Sequence, residues 1–248
     1  MQSRTLRQSA SAAALLVLMA NTWAQEHIAI KRPFDLPPSA DLSYSIDARK
    51  KGIALGGDAQ ISWRVGQGSY SANNVARASF LGKILDNRTE GTVDSFGLAP
   101  TQFYEKRFRK DATTATFDRS SKTISFADGK QTYPLLGGEQ DRASAQWQLA
   151  ALARAAPDKF VPGSEWKFFV AGRHDAEVWT FRVLGRETLS TPMGSMPTVH
   201  FIKQQPDAAA QKIDLWLAPG HEWYPVKLRI SEEDGEFVQQ TIDKITKK

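Results

Sequence analysis

The sequence predicts a mostly β protein, built as a single curved antiparallel sheet with one main helix. Two observations carry this prediction: apolar and polar residues alternate along many short segments, and turn signals separate those segments at intervals of roughly 8 to 12 residues. This rhythm predicts about a dozen strands. Because so many strands in one open sheet tend to curl or split, we expect a half-barrel or an open barrel.

Alternating segments occur at both ends of the predicted domain. Each presents apolar side chains on one face and polar side chains on the other, which is typical of half-buried antiparallel strands. The apolar positions are Leu42, Tyr44 and Ile46, then Ile61, Trp63 and Val65, and near the C-terminus Val226, Leu228 and Ile230. With a turn signal at Asp234-Gly235, residues 213–242 predict three strands joined by two turns.

One segment, residues 141–156, has the composition of a helix. Asp141 is a suitable N-cap, and Pro157 ends the segment. On a helical wheel Leu149 and Leu152 lie on one side and Trp147 lies on the other, so both sides are partly apolar. A helix that lies on a sheet needs only one apolar side, so this pattern indicates a helix packed on two sides, as a lid or plug would be. The alternative is a helix at the rim whose Trp covers a loop.

Four aromatic residues are the candidate ligand-binding residues: Trp63, Trp147, Trp179 and Phe181. Trp179 and Phe181 share one strand face because they are two positions apart. We expect Trp147 to face these two residues across an apolar cavity, with Leu149 and Leu152 on a second surface. The same aromatic residues can equally fill an ordinary core.

No catalytic residue is assigned from the sequence. A glycosidase needs two carboxylates roughly 5 to 10 Å apart, and the sequence does not give the separations of the candidate acids. These acids are Asp86, Glu90, Asp94, Glu177 and Asp214. A pair that is buried, mutually close and raised in pKa would identify such a site.

The histidines do not indicate a metal site. His27, His174, His200 and His221 lack metal-ligand spacing, and the chain has no cysteine. We therefore expect neither a metal nor a cofactor. His200 lies between Val199 and Phe201 on a predicted strand, where a lone His is expected to be a hydrogen-bonded part of the scaffold.

The chain begins like a secretory precursor. Arg4 and Arg7 precede an apolar run over residues 10–20, which is about half the length that a membrane-spanning helix needs. Small residues at Thr22 and Ala24 predict cleavage after Ala24; an uncleaved anchor is the alternative. The predicted domains are a signal peptide (1–24), a Pro-rich extended segment (25–40), expected to be disordered, and a single β-rich domain (41–248).

These features predict a secreted, periplasmic protein with no integral membrane segment in the mature chain. The formal net charge of the whole chain is only +5. Because an exported protein meets little nucleic acid, we expect no nucleic acid partner. The expected partner is a lipid or another apolar component of the cell envelope.

Short motifs are spread over nearly the whole mature chain. They are Tyr44, Lys51-Gly52, Ile61 with Trp63, the run from Asp94 to Pro100, Gln140-Asp141 with Ser144, Thr191-Pro192-Met193-Gly194, and Trp216-Leu217-Ala218-Pro219. Together they resemble the signature of an uncharacterised family of exported proteobacterial β-rich proteins, a domain of unknown function. The resemblance implies location and fold, and it implies no activity.

The C-terminal part has a second, weaker resemblance. The order Trp216, Pro219, Pro225-Val226 and Asp234-Gly235 is similar to the final strands of the periplasmic lipoprotein-carrier superfamily. This resemblance implies a half-barrel with helices over an apolar concave face. The present chain is longer, shows one clear helix, and has Tyr224 where a Leu commonly precedes the Pro.

Three functions remain open from the sequence. The first is a non-catalytic binding or chaperone-like module for a lipid or acyl chain. The second is a hydrolase that acts on envelope glycan through paired carboxylates. The third is a structural envelope protein without a ligand.

The targeting segment gives the first testable prediction. Protein recovered from the periplasmic fraction of the native host should begin at Gln25, because the apolar run and Ala24 form a signal-peptide pattern. N-terminal sequencing or intact-mass measurement checks this. Intact protein that retains Met1 in the cytosol would contradict it.

Overall fold

The structure is a computed structural model that describes residues 29–205 and 210–248. The predicted signal peptide and its cleavage site lie outside the described residues. Within these ranges, fifteen strands form one sheet, accompanied by one α-helix and two short 3-10 turns. No helix in these ranges is long and apolar enough to cross a membrane.

The N-terminal half of the sheet consists of eight strands: β1 (Ala40–Lys50), β2 (Ile53–Gly66), β3 (Ser69–Ala78), β4 (Gly82–Asp94), β5 (Gly97–Arg107), β6 (Thr113–Asp118), β7 (Thr123–Phe126) and β8 (Thr132–Pro134). The C-terminal half has β9 (Gln140–Asp141), β10 (Glu165–Ala171), β11 (Ala176–Thr191), β12 (Gly194–Lys203), β13 (Lys212–Ala218), β14 (Tyr224–Ser231) and β15 (Phe237–Lys247). The helix α1 (Ala145–Ala155) lies between β9 and β10.

The strand order follows the chain outward from the junction of β1 and β15. It runs β8-β7-β6-β5-β4-β3-β2-β1-β15-β14-β13-β12-β11-β10-β9. Among the described pairs, all are antiparallel except β9 with β10. The three predicted strands of residues 213–242 are confirmed as β13, β14 and β15.

The strand number is larger than predicted. The expected curved, open, antiparallel-dominated sheet is confirmed, but it has fifteen strands and not about a dozen. Three of them, β7, β8 and β9, contain only four, three and two residues. A strand that short has too few positions to display an apolar–polar alternation, so the sequence pattern does not reveal it.

The sheet rolls up so that its two ends overlap. Phe168 and Trp179 are cross-strand partners on one face of β10 and β11, and they belong to the apolar cluster that contains α1. Phe169 and Val178 are partners on the opposite face, and they pack against the side chains of β5, β6 and β7. Both faces of the β10–β11 hairpin are therefore covered, one by the helix and one by the other end of the sheet.

Helix α1 lies inside this roll. Eight of its residues are buried: Ala145, Trp147, Gln148, Leu149, Ala150, Ala151, Leu152 and Ala153. The prediction of a helix packed on two sides is confirmed. The helix begins at Ala145 and not at Asp141, because Asp141 is paired in β9 and its Oδ1 accepts hydrogen bonds from the backbone N–H groups of Ala143 and Ser144 in the turn that precedes the helix.

The Pro-rich segment is extended, but residues 29–39 are ordered against the domain, so the expectation of a disordered start is wrong for them. We call these residues the N-terminal strap. Its Asp35 N–H donates to the carbonyl of Ala151 in α1 at 2.9 Å. The indole Nε1 of Trp63 donates to Pro37 at 2.9 Å, and the hydroxyl of Tyr224 donates to Pro38 at 2.8 Å. The backbone of the strap thus satisfies polar groups of the core.

A glycine lets the helix dock on the sheet. Gly97 has a φ of +108° at the start of β5, and a Cβ there would collide with the amide of Gln148. That amide accepts from the N–H of Leu98 and donates to the carbonyl of Phe96, both at 2.8 Å. Because these groups are largely buried, losing the pair leaves polar atoms unsatisfied.

This contact gives a second testable prediction. Gly97→Ala should reduce the free energy of unfolding by about 1–3 kcal/mol more than Gly194→Ala, because it displaces two buried hydrogen bonds. Gly194 is the matched control, since its φ is +103° but nothing lies near the added Cβ. Urea unfolding of both variants provides the comparison. Equal losses would show that only backbone strain matters at Gly97.

Candidate functional site

The interior of the sheet contains two aromatic surfaces, one on each side of α1. On the first surface, Trp147 is fully buried and stacks on Trp63, with ring centroids 4.3 Å apart and an interplanar angle of 6°. The ring of Tyr224 meets Trp147 edge-on at 6.3 Å. Such offset and edge contacts are the preferred geometries of aromatic pairs.

The second surface contacts the opposite side of the helix. Leu149 and Leu152 pack in a cluster that includes Trp179 and Phe181, whose rings meet at 5.9 Å and 68°. Also in this cluster, Phe160 stacks on Trp166 at 3.9 Å. The helix therefore separates the two surfaces.

The candidate ligand-binding residues lie on these two surfaces as two pairs. The expectation that Trp147 faces Trp179 and Phe181 is wrong: Trp147 faces Trp63. Two positions along a helix correspond to a rotation of about 200° around its axis, so Trp147 and Leu149 point in nearly opposite directions. Leu149 therefore faces Trp179 and Phe181, and Trp147 does not. Leu149 and Leu152 therefore pack against Trp179 and Phe181, the residues that Trp147 was expected to face.

A cleft opens between α1, the strap and β10. On this side of β10, the described pairing with β9 covers only Val170 and Ala171. The cleft has a volume of about 70 Å³. Gln148 and Leu152 of the helix form part of its lining, together with Phe168 of the sheet and Arg32 of the strap.

Buried polar contacts join the two ends of the sheet. We call them the closing seam, formed by Gln140, Asp141 and Gln148 with their partners on β4, β5 and the turn between them. Thr89 on β4 donates to the Oδ2 of Asp141 at 2.5 Å, and the side-chain amide of Gln140 donates to the carbonyl of Leu98 at 2.8 Å. Sequence reasoning assigned Asp141 as a helix cap and included Gln140-Asp141 in the family-like motif, but it gave Gln140 no structural role and did not single out Gln148.

Asp141 is a fully buried acid whose pKa is raised. Complete burial raises its pKa to about 6, although hydrogen bonds from Thr89, Ser144 and Ala143 favour the charged form and oppose the shift. The hydroxyl of Tyr70 lies 3.3 Å from Thr89 and extends this network. A carboxyl group with a raised pKa can act as a general acid, but Asp141 is enclosed by the closing seam.

Two of the glycosidase candidates, Asp86 and Glu177, have lowered pKa values. Burial opposes ionisation of Asp86, but hydrogen bonds from Lys83 and Arg88 outweigh it and lower the pKa. The pKa of Glu177 is lowered in the same way by Lys203, against the effect of burial. Glu90 and Asp94 are exposed on β4. A general acid needs a raised pKa, so Asp86 and Glu177 lack the required environment.

His200 is part of the scaffold, as expected from the sequence. Its Nε2 lies 2.8 Å from Oδ1 of Asp214, and its ring stacks on Trp216 with centroids 4.2 Å apart. Burial opposes ionisation of Asp214, yet hydrogen bonding to His200 and the charge of Lys212 lower its pKa. In residues 29–205 and 210–248, no group of three acids or histidines is arranged to hold a metal ion.

Fold and site together define a class: an open antiparallel sheet rolled around a single helix, with aromatic surfaces on both sides of it. Residues 43–243 match the model of a family described as a protein of unknown function, DUF3108. The chain belongs to this family, which confirms the predicted membership of an uncharacterised β-rich family. The sequence matches no curated protein.

Solved structures share the fold at low sequence identity. The β-barrel-like protein of the domain of unknown function DUF1849 from Brucella abortus is 13% identical, with a TM-score of 0.56, and the match covers 87% of this chain and 99% of that one. At this identity the likeness shows the fold alone. MucB is 14% identical with a TM-score of 0.33, covering 86% of this chain and 54% of its own.

A third similar structure is the lipoprotein LppX from Mycobacterium tuberculosis. It is 10% identical with a TM-score of 0.26, and the match covers 81% of this chain and 84% of that one. At TM-scores near 0.3, neither MucB nor LppX bears on the function of this chain.

The buried acid gives a third testable prediction. Asp141 binds its proton more tightly in the folded state (pKa about 6) than the ordinary value of 3.8, so its contribution to stability is present below pH 4 and is lost as pH rises through 6. Asp141→Asn should therefore become more stable relative to the wild type by about 2–2.5 kcal/mol between pH 4 and pH 7.5.

Urea unfolding of both proteins across this pH range measures the difference. Asp118→Asn is the control, because hydrogen bonds from Ser120 and Ser121 lower the pKa of Asp118 to about 2 and its titration falls below the range. A constant difference between wild type and Asp141→Asn from pH 4 to pH 7.5 would contradict the raised pKa.

Proposed function

We propose that the protein is an exported envelope protein that binds an apolar ligand, such as a lipid or an acyl chain, without catalysis. The observation that carries this proposal is the position of α1. The helix occupies the concave interior between two aromatic surfaces, which is the place that an apolar ligand would take. In this interpretation the structure is the ligand-free, plugged form, and ligand binding displaces the helix.

The contacts of α1 are compatible with displacement. Five of its eleven residues are Ala, so much of the helix presents little side-chain surface. The buried Nε1 of Trp147 has no hydrogen-bond partner in the described chain. An unsatisfied buried donor costs about 1–3 kcal/mol, and this cost is removed when the indole leaves its site. The plugged form therefore carries a penalty that a ligand can relieve.

Polar contacts at the helix ends oppose displacement. At the C-terminal end, Arg154 forms ion pairs with Asp35 of the strap at 2.9 Å and with Glu222. Because Asp35 is exposed, this pair contributes little to stability, about 0–1 kcal/mol. The stronger attachment is at the N-terminal end, where Gln148 belongs to the closing seam. We infer that the helix swings about this end.

Two sequence features support the same function. The predicted signal peptide supports an envelope location, and the resemblance of the last strands to lipoprotein carriers supports an apolar ligand. The hydrolase alternative has less support, because Asp86, Glu177 and Asp214 lie in ion pairs that lower their pKa values.

The most direct test is native mass spectrometry of protein purified from the periplasm without detergent. A copurified lipid or acyl ligand is the expected result. Protein that carries no such molecule, and that also fails to bind an environment-sensitive apolar dye, would contradict the proposal and favour a structural role.

The plug gives a fourth testable prediction. Trp147→Ala should reduce the free energy of unfolding by about 3–5 kcal/mol, because it removes a fully buried indole. It should also tighten binding of an apolar naphthylamine dye, because it destabilises the plugged form and so raises the fraction of binding-competent molecules. Fatty acid or phospholipid should displace the dye.

Phe117→Ala is the matched control. Phe117 is 3% exposed and belongs to the cluster between the overlapping sheet ends, away from the Trp147 side of α1. This variant should be destabilised by a comparable amount without a change in dye affinity. If both variants change dye affinity equally, general loosening is the cause; if none of the proteins binds dye, α1 is an ordinary core helix.

A further inference from the structure

The cleft beside α1 combines apolar walls with uncompensated positive charge. Phe96, Leu152 and Phe168 provide apolar lining, and Arg32 and Lys167 line the same cleft. Within the described residues, neither the half-buried Arg32 nor the exposed Lys167 forms an ion pair, unlike Arg154, which pairs with Asp35 and Glu222. Among the described residues, the lining of the cleft contains no acidic side chain.

Arg32 is held in an unusual position for an unpaired cation. Its guanidinium lies over the ring of Trp166, 5.6 Å from the ring centroid. Burial lowers the pKa of Arg32 from its ordinary value, which means that the charge is partly removed from water without an acid to compensate it. An anionic group bound in the cleft would provide that compensation through charge-assisted hydrogen bonds.

The size of the cleft limits what it can hold by itself. Its volume of about 70 Å³ is roughly half that of the engineered 150 Å³ cavity that binds benzene. It therefore accommodates a charged headgroup and a short alkyl segment. A longer chain has to continue past Leu152, into the interior that α1 occupies.

From these observations we infer that the cleft is the headgroup end of the ligand site and that the ligand is an anionic amphiphile. Its carboxylate or phosphate pairs with Arg32 and Lys167, and its alkyl chain extends along Phe168 and Leu152 toward the interior. This inference rests on the proposed function, and it adds the class of ligand and its direction of entry.

The test compares four probes below their aggregation concentrations: dodecanoate, dodecyl phosphate, dodecan-1-ol and inorganic phosphate. The two anionic amphiphiles should bind the wild type at least about tenfold more tightly than dodecan-1-ol, as expected for hydrogen bonds to charged groups. The double variant Arg32→Gln/Lys167→Gln should lose this difference and keep its affinity for dodecan-1-ol.

Arg49→Gln/Lys244→Gln is the matched control. Both residues are exposed, lie away from the cleft on β1 and β15, and give the same change in net charge. This control should retain the preference for anionic amphiphiles. A loss of preference as large as in the cleft variant would show that overall charge, and not the cleft, attracts the anion, and would overturn the inference.

The other outcomes separate this inference from the proposed function. If dodecan-1-ol binds as tightly as dodecanoate, the protein binds apolar chains but the headgroup inference is wrong. If inorganic phosphate competes with dodecyl phosphate at similar concentration, the cleft is a simple anion site and the amphiphile inference is wrong. If no probe binds, the proposed function fails and this inference fails with it.

Discussion

The rest of the structure depends on how an open sheet holds its two ends together. A closed barrel uses a continuous hydrogen-bonded ladder for this purpose, but here β9 and β10 share only two residue pairs and the roll remains open. The closing seam takes the place of the ladder. Because Asp141 and Gln140 are fully buried and hydrogen-bonded to β4 and β5, polar groups fix the register of the overlap, which apolar packing alone would specify less strictly.

The seam also determines where the helix lies. Gln148 belongs both to α1 and to the closing seam, so the same hydrogen bonds that join the sheet ends also hold the helix in the interior. Apolar burial then fills the space on both sides of the helix, with Trp63 on one side and Trp179 on the other. A helix that is fixed at one end by buried polar groups and at the other by the partly buried ion pairs of Arg154 is suited to a hinged movement.

Much of the fold follows from local sequence patterns. The alternation at Leu42, Tyr44 and Ile46 predicts β1 because one face of that strand is buried along most of its length. The pattern does not predict β9, because two residues carry no periodicity. It also does not predict which part of the sheet Trp147 contacts, because a helical wheel gives the direction of a side chain and not the residue that it meets. The seam is non-local, joining Thr89 to Asp141 across 52 positions, although Gln140-Asp141 was already part of the family-like motif.

The pairing of β1 with β15 has a consequence for folding kinetics. Leu42 is the ladder partner of Ile245, so contacts at the centre of the sheet join residues about 200 positions apart. Because the N-terminal part of the chain is synthesised first, strands β1–β8 can pair early. One edge of β1 stays unpaired until β15, the last strand, has formed. Sheets with such distant pairings fold slowly, and an unpaired central edge is where another chain can add as a strand. Until β15 forms, that edge of β1 is therefore open to strand addition by another chain.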